Sequence, residues 1–329
     1  MTDAQEDQAA PAASRELAAN GLTVSVAICS NRPGSLHAAV ASVLANETPP
    51  FELVVVAQGG DPGWAQRDLA EFLGDARLRI IYDDGRGVAR SRNIALKQSS
   101  GEIVVYTDDD CLVGENWVEA HARIYREHPD VMMVFGKVVP PETYSATQGM
   151  VPTFYPDAEV GTPRLRGKIA LGIGANMSVR RSLTARIGLF DEQLGPGSAL
   201  QSGEEFDLSL RATAAGARVI ADGRPVVIHA GGVRETGGPS RTLWQRDGFA
   251  IGALIAKQLR IRHWHGVVAL TGFLGHIALT SVLRLVRRQH PSRLRMSAIL
   301  LSSGARGFAA GLRQPISETG IRAIFAPAR

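Results

Sequence analysis

Short apolar runs rich in β-branched residues alternate with helical segments over the first 108 residues of the chain. Four of these runs are typical of buried strands, at residues 23–30, 51–60, 78–84 and 102–108. The segments between them predict helices, at residues 35–46, 64–74 and 88–98. Buried strands that alternate with helices indicate a parallel, doubly wound α/β sheet, and such sheets bind ligands at the carboxyl ends of their strands.

The composition is that of a globular protein from a reducing compartment. Hydrophobic residues make up 45% and charged residues 21% of the 329 positions, which suits a chain with a sizeable core. The two cysteines, Cys29 and Cys111, are too few for a disulfide framework or a zinc cluster. Residues 1–21 are rich in alanine, proline and acidic residues and have no apolar segment, so we predict a disordered tail, no signal peptide and a cytoplasmic protein.

An acidic triplet, Asp108, Asp109 and Asp110, directly follows the fourth predicted strand. Three adjacent carboxylates repel one another unless they are solvated or bind a cation. In an extended chain Asp108 and Asp110 point to the same side, and two converging carboxylates suit Mg²⁺ or Mn²⁺, which take oxygen ligands and bridge to substrate phosphates. The triplet alone leaves a solvated acidic turn open as the alternative.

Segments spread in order over residues 22–232 resemble family 2 glycosyltransferases of the GT-A fold. They are VSVAICSNR, ELVVVAQGG, GRGVARSRNIAL and GEIVVYTDDDC, followed by GANMSVRRSLTARIGLFDEQLGPG, SGEEFDLSLRATAAGARVI and VVIHAGG. The resemblance implies a GT-A type α/β fold, with a doubly wound, mostly parallel sheet flanked by helices and a C-terminal helical extension. It also implies a GT-A domain at 22–239, with a nucleotide-binding half at 22–139 and an acceptor half at 140–239.

The same resemblance implies a metal and donor site at the strand ends. The triplet matches the DXD motif of the family, with Asp110 as the direct metal ligand, Asp108 near the ribose and the metal, and His229 completing the metal shell. The implied donor-binding residues are Ser30, Arg32, Gln58, Arg92, Asp108 and Asp109. Read without the resemblance, Arg92 is a surface partner of Asp83 or Asp84, and His229 is a structural histidine.

Two positions depart from the pattern of the family. The second strand usually ends in an aspartate that pairs with the nucleotide base, whereas this chain has Ala57 and then Gln58. An amide both donates and accepts hydrogen bonds, so Gln58 can replace that contact, but uracil specificity is less secure. The second departure is Glu205, which stands where the family has the aspartate that acts as general base.

The catalytic role of Glu205 has a structural alternative. The sequence SGEE fits a capping box, in which Ser202 caps a helix and the Glu205 side chain accepts from the Ser202 N–H. Glu204 and Asp207 are the neighbouring acceptor-side candidates, although Asp207 also stands four residues before Arg211 and can simply pair with it on a helix face.

Three other functional classes compete with sugar transfer. A dinucleotide-dependent oxidoreductase needs G-x-G-x-x-G after the first strand, and this chain has SNRPGS there. A nucleotidyltransferase shares the metal and the nucleotide but opens with a glycine-rich phosphate loop, which SNRPGS does not provide. A non-catalytic nucleotide- or metal-binding module needs the triplet but no acidic residue on the acceptor side. Nucleotidyltransferase and binding module remain the alternatives.

The C-terminal region, residues 240–329, is predicted to be helical and basic. From residue 281 onward it holds nine arginines and one acidic residue. Residues 266–283 are marginal for spanning a bilayer of about 30 Å. This segment has a polar stripe beside an apolar one. The polar stripe consists of His276, Thr280, Arg284 and Arg288, and the apolar stripe consists of Val267, Leu270, Leu274 and Ile277. This pattern indicates either a helix on an anionic membrane surface or a helix packed on the catalytic domain. The arginines lack interleaved aromatic residues, so no nucleic acid partner is expected.

Together these features predict an inverting, metal-dependent hexosyltransferase. Mg²⁺ or Mn²⁺ would hold the phosphates of a nucleotide-sugar donor, expected to be UDP-linked, and Glu205 would deprotonate an acceptor hydroxyl. The acceptor would be a cell-surface glycan or a lipid-linked sugar of the cell envelope, met by an enzyme peripheral to the cytoplasmic face of the membrane. The proline-rich segment 140–172 would form a lid over the donor and exclude water.

Overall fold

The computed structural model of the chain describes residues 21–145, 151–156, 172–231, 238–286 and 291–314. Its centre is a sheet of eight strands in the order β3-β2-β1-β4-β7-β6-β8-β5. The predicted tail at 1–21 lies outside the described residues except for its last position, and so does most of the predicted lid at 140–172. Within that segment, Phe154 pairs with Val138 of the sheet as an isolated antiparallel bridge.

The first half of the sheet follows the sequence prediction closely. Strands β1 (Val24–Ser30), β2 (Phe51–Gln58), β3 (Leu78–Asp83) and β4 (Ile103–Asp108) are all parallel. The connecting helices are α1 (Leu36–Leu44), α2 (Trp64–Asp68) and α3 (Val88–Gln98). The helix predicted at 64–74 is shorter than expected, because α2 ends at Asp68 and a separate 3₁₀ turn covers Ala70–Phe72.

The second half makes the sheet mixed. Its elements are β5 (Leu112–Val113), α4 (Trp117–Glu127), β6 (Val131–Val139), β7 (Asn176–Arg180), α5 (Arg181–Ile187), α6 (Glu204–Ala214) and β8 (Arg218–Ile228). Strand β7 runs antiparallel to both of its neighbours, β4 and β6, whereas β8 runs parallel to β6. Strand β8 is continuous, and its pairing with β6 shifts register between Gly136 and Lys137.

Both faces of the sheet are buried, which explains why its strands are apolar almost without interruption. Alternate residues of a strand point to opposite faces, so Val26 and Ile28 pack under α1, α2 and α4, while Ala27 between them faces α3, α5 and α6. These two layers leave the carboxyl ends of β1, β2 and β4 uncovered at one edge of the sheet. The acidic triplet begins at that edge.

Three helices of 23 residues follow the sheet domain: α7 (Gly238–Arg260), α8 (Trp264–Val286) and α9 (Pro291–Arg313). Helices α7 and α9 approach so closely that a Cβ atom on Gly252 would lie 1.8 Å from the Gly304 carbonyl oxygen, and one on Gly307 would lie 1.8 Å from the Phe249 carbonyl oxygen. Glycine is therefore required at both positions, since backbone atoms cannot move aside as a flexible side chain can.

The helical region packs on the sheet domain through one apolar cluster. Leu194, Leu200 and Leu210 of the sheet domain share this cluster with Ile251 and Leu254 of α7 and with Leu270 of α8. None of the helices described is both long and apolar enough to cross a membrane. Of the predicted polar stripe on α8, Arg288 lies outside the described residues, and the side chains of His276, Thr280 and Arg284 are not described.

Candidate active site

A cavity of about 770 Å³ lies where the carboxyl ends of the strands meet the C-terminal helices. Its polar end is lined by the acidic triplet and by residues that follow β1 and β8. Its other end is lined by the start of α6 and by side chains of α7 and α9. Every residue that the sequence assigned to the donor or the metal lines this cavity, namely Ser30, Arg32, Gln58, Arg92, Asp108, Asp109, Asp110 and His229.

Asp109 anchors the loop that follows β1. The buried carboxylate accepts hydrogen bonds from the hydroxyls of Ser30 and Ser35, the latter over 2.7 Å, and from the guanidinium of Arg32. The same guanidinium lies 3.1 Å from the carboxylate of Asp110. Arg32 therefore relieves the repulsion between two members of the triplet, and Asp109 is fully engaged in shaping the loop.

Asp110 and His229 form the part of the site best suited to a metal. The Nε2 atom of His229 lies 3.3 Å from Oδ1 of Asp110. Although burial raises the pKa of Asp110, the hydrogen bond and charge of His229, together with the charge of Arg32, bring the pKa well below its ordinary value. Asp110 is thus ionised, as a metal ligand must be.

The chemistry of the donor atoms fits a divalent cation. Ligand atoms of Asp110, Cys111 and His229 lie within 4.8 Å of one another. Burial raises the pKa of the Cys111 thiol, and a sulfur ligand suits softer metals than Mg²⁺ or Mn²⁺. The remaining candidate ligands are a carboxylate oxygen of Asp110, an imidazole nitrogen of His229 and the carboxylate of the neighbouring Asp108. This set suits Mn²⁺ or Mg²⁺.

Arg92 connects the triplet to the start of α6. Its buried guanidinium lies 2.7 Å from the carboxylate of Glu204 and 3.4 Å from that of Asp108. The alternative in which Arg92 pairs with Asp83 or Asp84 is wrong, because Arg90 occupies Asp83 with two hydrogen bonds of 2.7 and 2.8 Å. Burial raises the pKa of the Asp108 carboxyl despite the charge of Arg92.

Gln58 is held by Asp83, which no sequence motif assigned to this role. Its Nε2 atom donates to the carboxylate of Asp83 over 2.7 Å, and both side chains are buried. The two residues are direct partners across β2 and β3, so the register of the parallel pair brings them together. The Arg90–Asp83 pair therefore positions Gln58 at the edge of the cavity.

The start of α6 differs from the capping box that SGEE predicts. The residue before the helix is Gly203, in the left-handed region at φ +89°, and no side chain caps the helix. Ser202 donates its hydroxyl hydrogen bond to Asp247 of α7 over 3.1 Å. The capping-box interpretation is wrong because the left-handed turn at Gly203 starts the helix one residue later than the motif requires.

Glu204 and Glu205 have different surroundings. Glu204 pairs with Arg92 through one carboxylate oxygen, whereas Glu205 has no ion pair among the described residues, and each of the two carboxyl groups has a buried oxygen without a hydrogen-bond partner there. Burial, and next the charge of Glu204, raises the pKa of Glu205 well above its ordinary value. A carboxylate with raised proton affinity at the edge of a cavity has the properties of a general base.

Asp207, the third acidic candidate, lies away from the cavity in a buried network. Its carboxylate is bound by Arg211 at 2.8 Å and by Lys257 of α7 at 2.7 Å, and Lys257 also contacts Asp191 at 2.6 Å. Burial raises the pKa of Asp207, but the two cations lower it to about 2. The structure therefore gives Asp207 a role in holding α7 on the sheet domain.

Sequence motifs did not reveal the contribution of α7 to the cavity. Leu243, Trp244, Arg246 and Asp247 line its wall, as does Ile251 one turn further on. They lie in the region 240–329, which was predicted only to be helical and basic. The one available signal is Asp247, which is the last acidic residue before Glu318.

Comparison with known proteins agrees with this geometry. The model of the glycosyl transferase family 2 matches residues 25–188, which include β1 to β7 and the acidic triplet. The chain is 28% identical over 187 residues to a glucosyl-dolichyl phosphate glucuronosyltransferase of Haloferax volcanii, a match that covers 53% of this chain and 58% of the relative. It is 24% identical over 216 residues to the O-antigen biosynthesis protein RfbC of Myxococcus xanthus, covering 60% of this chain but 16% of that protein.

Solved structures share the fold at low sequence identity. The mannosyltransferase PcManGT of Pyrobaculum calidifontis, in complex with GDP-Man and Mn²⁺, aligns with a TM-score of 0.60 at 20% identity, covering 87% of each chain. Residues 1–349 of TarS of S. aureus, in complex with UDP-GlcNAc, align with a TM-score of 0.56 at 15% identity, covering 87% of this chain and 82% of that one.

The sheet topology and these neighbours thus define a GT-A type fold. The chain belongs to glycosyl transferase family 2 through residues 25–188. It spans little more than half the length of the H. volcanii relative, so that relative does not define its activity.

Proposed function

We propose that the chain is an inverting glycosyltransferase that moves a sugar from a nucleoside diphosphate donor to an acceptor hydroxyl with the help of a divalent cation. The observation that carries this proposal is the single cavity that joins the Asp110–His229 pair to the Glu204–Glu205 pair through Arg92. The first pair faces the donor phosphates and the second faces the acceptor. Both halves of a displacement reaction are therefore present within one cavity.

On the donor side, Asp110, Asp108 and His229 would hold Mg²⁺ or Mn²⁺. The cation, when bound, offsets the negative charge of the departing nucleoside diphosphate. Ser30, Arg32 and Gln58 line the pocket for the nucleoside. We propose UDP as the nucleoside diphosphate and take GDP as the comparison. The TarS complex contains UDP-GlcNAc, and the PcManGT complex contains GDP-Man.

On the acceptor side, Glu205 would take the proton of the acceptor hydroxyl. The oxygen then attacks the anomeric carbon on the face opposite the departing phosphate, which inverts the configuration of the sugar. Glu204 is engaged in a buried ion pair with Arg92 at 2.7 Å, which leaves Glu205 as the base. The acceptor is the hydroxyl of a cell-surface glycan or of a glycolipid.

A thermal-shift screen of UDP- and GDP-sugars, with and without Mn²⁺, tests the donor proposal. We expect one nucleotide sugar to raise the melting temperature only when Mn²⁺ is present, and we expect its slow hydrolysis to stop when a chelator is added. Asp110→Asn should abolish that hydrolysis, and Asp84→Asn, at the exposed position that follows β3, should not. Full turnover by Asp110→Asn would contradict the metal assignment. If nucleotide sugars bind but none of them is hydrolysed, the result would favour a binding module.

We also propose that α8 rests on an anionic membrane surface at the cytoplasmic face. Large apolar side chains line one exposed face of this helix: Trp264 (60% exposed), Val268 (69%), Leu279 (59%), Val282 (57%) and Leu283 (44%). The opposite face, including Leu270, packs against α7. Apart from Lys257, which is buried between Asp191 and Asp207, residues 248–317 hold nine arginines and no acidic residue, so this part of the sequence complements negatively charged lipid.

Sedimentation with lipid vesicles tests the membrane proposal. Vesicles rich in phosphatidylglycerol should pull down the protein, and phosphatidylcholine vesicles should not. Leu279→Asp, on the exposed face of α8, should weaken that binding, and Leu73→Asp, an equally exposed leucine on the sheet domain, should leave it unchanged. Equal binding by Leu279→Asp and the unchanged protein would show that this face is not the contact.

A further inference from the structure

The cavity has an apolar end that the donor site does not use. Four side chains of α7 and one of α9 line it, next to Glu205 and Phe206 of α6. They are Leu243, Trp244, Ile251 and Leu254 of α7 and Leu300 of α9. Leu254 and Leu300 are almost fully buried, whereas Leu243 and Trp244 are partly exposed. The wall therefore runs from the base candidate outward along two helices of the C-terminal region.

The chemistry of this wall selects an apolar ligand over a sugar chain. Four of its five side chains are aliphatic and carry no group that can bind a hydroxyl. A sugar placed there would lose the hydrogen bonds of its hydroxyls to water and gain few in return, which is unfavourable. A hydrocarbon chain would instead remove apolar surface from water on both sides of the contact.

The wall is also close to the face proposed to meet the membrane. Ile251 and Leu254 belong to the same apolar cluster as Leu270 of α8, and the exposed apolar face of α8 is on the other side of that helix. The polar residues of the same cavity, Arg246 and Asp247 of α7, stand beside Ser202 at the start of α6. An amphiphile would thus have its polar part near Glu205 and its apolar part along α7 and α9.

We propose that this apolar wall is a subsite for the hydrocarbon chain of a lipid-linked acceptor. The inference rests on the proposed function, because it assigns the acceptor end of the same cavity. The chain would lie against Leu243, Trp244 and Leu300, which places the hydroxyl of the headgroup near Glu205. Acceptor choice would then depend on the chain as well as on the sugar.

Alkyl glucosides of increasing chain length provide the probe. Methyl, hexyl and octyl β-glucoside, each below its micelle concentration, have the same headgroup and differ only in the chain. Saturation-transfer NMR on the full chain should show that affinity rises with length, by up to roughly fourfold for each fully buried methylene. The strongest signals should come from the protons of the chain. Equal affinity of methyl and octyl glucoside, with signals from the ring, would overturn the proposal in favour of a glycan site.

Two matched variants locate the chain. Leu243→Asp, on the wall, should remove the dependence on chain length, and Leu279→Asp, on the exposed face of α8, should keep it. The reverse result would mean that the chain adsorbs to the outer face of α8, and the proposal would fail. Circular dichroism melting of both variants shows whether they fold, and Trp244→Ala provides a second change on the same wall if Leu243→Asp does not.

Donor hydrolysis separates this inference from the function on which it rests. Hydrolysis of the nucleotide sugar by the unsubstituted protein needs no acceptor, so it tests the proposed function without involving the wall. Normal hydrolysis without chain binding would remove only the acceptor subsite. If the protein binds the hydrocarbon chain but turns over no nucleotide sugar, the proposed function fails. The interpretation of the wall as an acceptor site then fails with it.

Discussion

At the residue scale, the site depends on how each carboxylate is compensated. Asp109 is held by Arg32 and two serines, Glu204 by Arg92, and Asp207 by Lys257 and Arg211. Glu205, on the acceptor side of the cavity, has no such cation partner among the described residues, and burial together with the charge of Glu204 raises its pKa. The difference between a structural and a reactive carboxylate is therefore visible in the pairing.

Glu205→Gln should separate chemistry from binding. Glutamine keeps the size and hydrogen-bonding capacity of the side chain but cannot take a proton, so transfer should fall by roughly 10²–10⁴-fold while donor binding persists. The wild-type rate should rise with pH, because the raised pKa of Glu205 must be passed before the base is free. Near-normal transfer by Glu205→Gln, measured by product formation at several pH values, would remove Glu205 as the base.

The same substitution should change how stability depends on pH. A carboxyl whose pKa is raised on folding stabilises the native state fully below its unfolded value near 4.5, and this contribution is lost as pH rises through the raised pKa. Urea unfolding of the wild type should therefore show a decline in stability from about pH 4.5 upward that Glu205→Gln reduces. An identical pH dependence in both proteins would place the raised pKa on another group.

Some residue-level features could be predicted from the sequence and others could not. The acidic triplet and His229 follow strands, and strand ends of one sheet edge meet in space, so their convergence could be predicted. The contact between Gln58 and Asp83 depends on the register of β2 and β3, which alternating apolar residues do not determine in strands buried on both faces. The failed capping box shows the same limit, because a single left-handed residue, Gly203, moved the start of the helix.

At the scale of secondary structure elements, strands and helices of the first half were predictable because they are long and strongly apolar. The direction of β7 was not, since an apolar strand reads the same whether it runs parallel or antiparallel to its neighbours. The packing of α7 against α9 was also hidden, because glycines within helices ordinarily indicate weak helices. Here Gly252 and Gly307 allow the two backbones to approach.

Two glycine substitutions in the helical region should have opposite effects. Gly252→Ala puts a methyl group 1.8 Å from the Gly304 carbonyl oxygen, so α7 and α9 must separate, at a cost of about 1–3 kcal/mol in the free energy of unfolding. Gly275→Ala, on the exposed face of α8, meets no atom within 4 Å and should stabilise by up to about 1 kcal/mol through helix propensity. Urea unfolding of both variants checks the signs, and equal effects would show that the close approach does not matter.

At the scale of the whole molecule, the boundary predicted at residue 239 separates parts that the structure joins. Helix α7 covers an apolar cluster that includes Leu194, Leu200 and Leu210 of the sheet domain. It also supplies the wall of the cavity next to Glu205. We therefore expect that a chain ending at residue 239 does not fold as an independent GT-A domain, because that cluster would be exposed to water.

The buried network at Lys257 allows the same dependence to be tested in the full chain. Lys257→Met keeps most of the length of the side chain and removes its charge, which leaves the buried Asp191 and Asp207 without the ammonium that both contact. Breaking a buried ion pair on one side costs about 3–5 kcal/mol, so the midpoint of urea unfolding should fall clearly. Arg67→Met, which breaks an exposed pair with Asp61, is the matched control and should leave the midpoint unchanged. The opposite result would be that Lys257→Met unfolds at the wild-type midpoint and that the chain ending at residue 239 gives a folded monomer. In that case α7 would not be needed for folding of the sheet domain, and the predicted boundary at residue 239 would be correct.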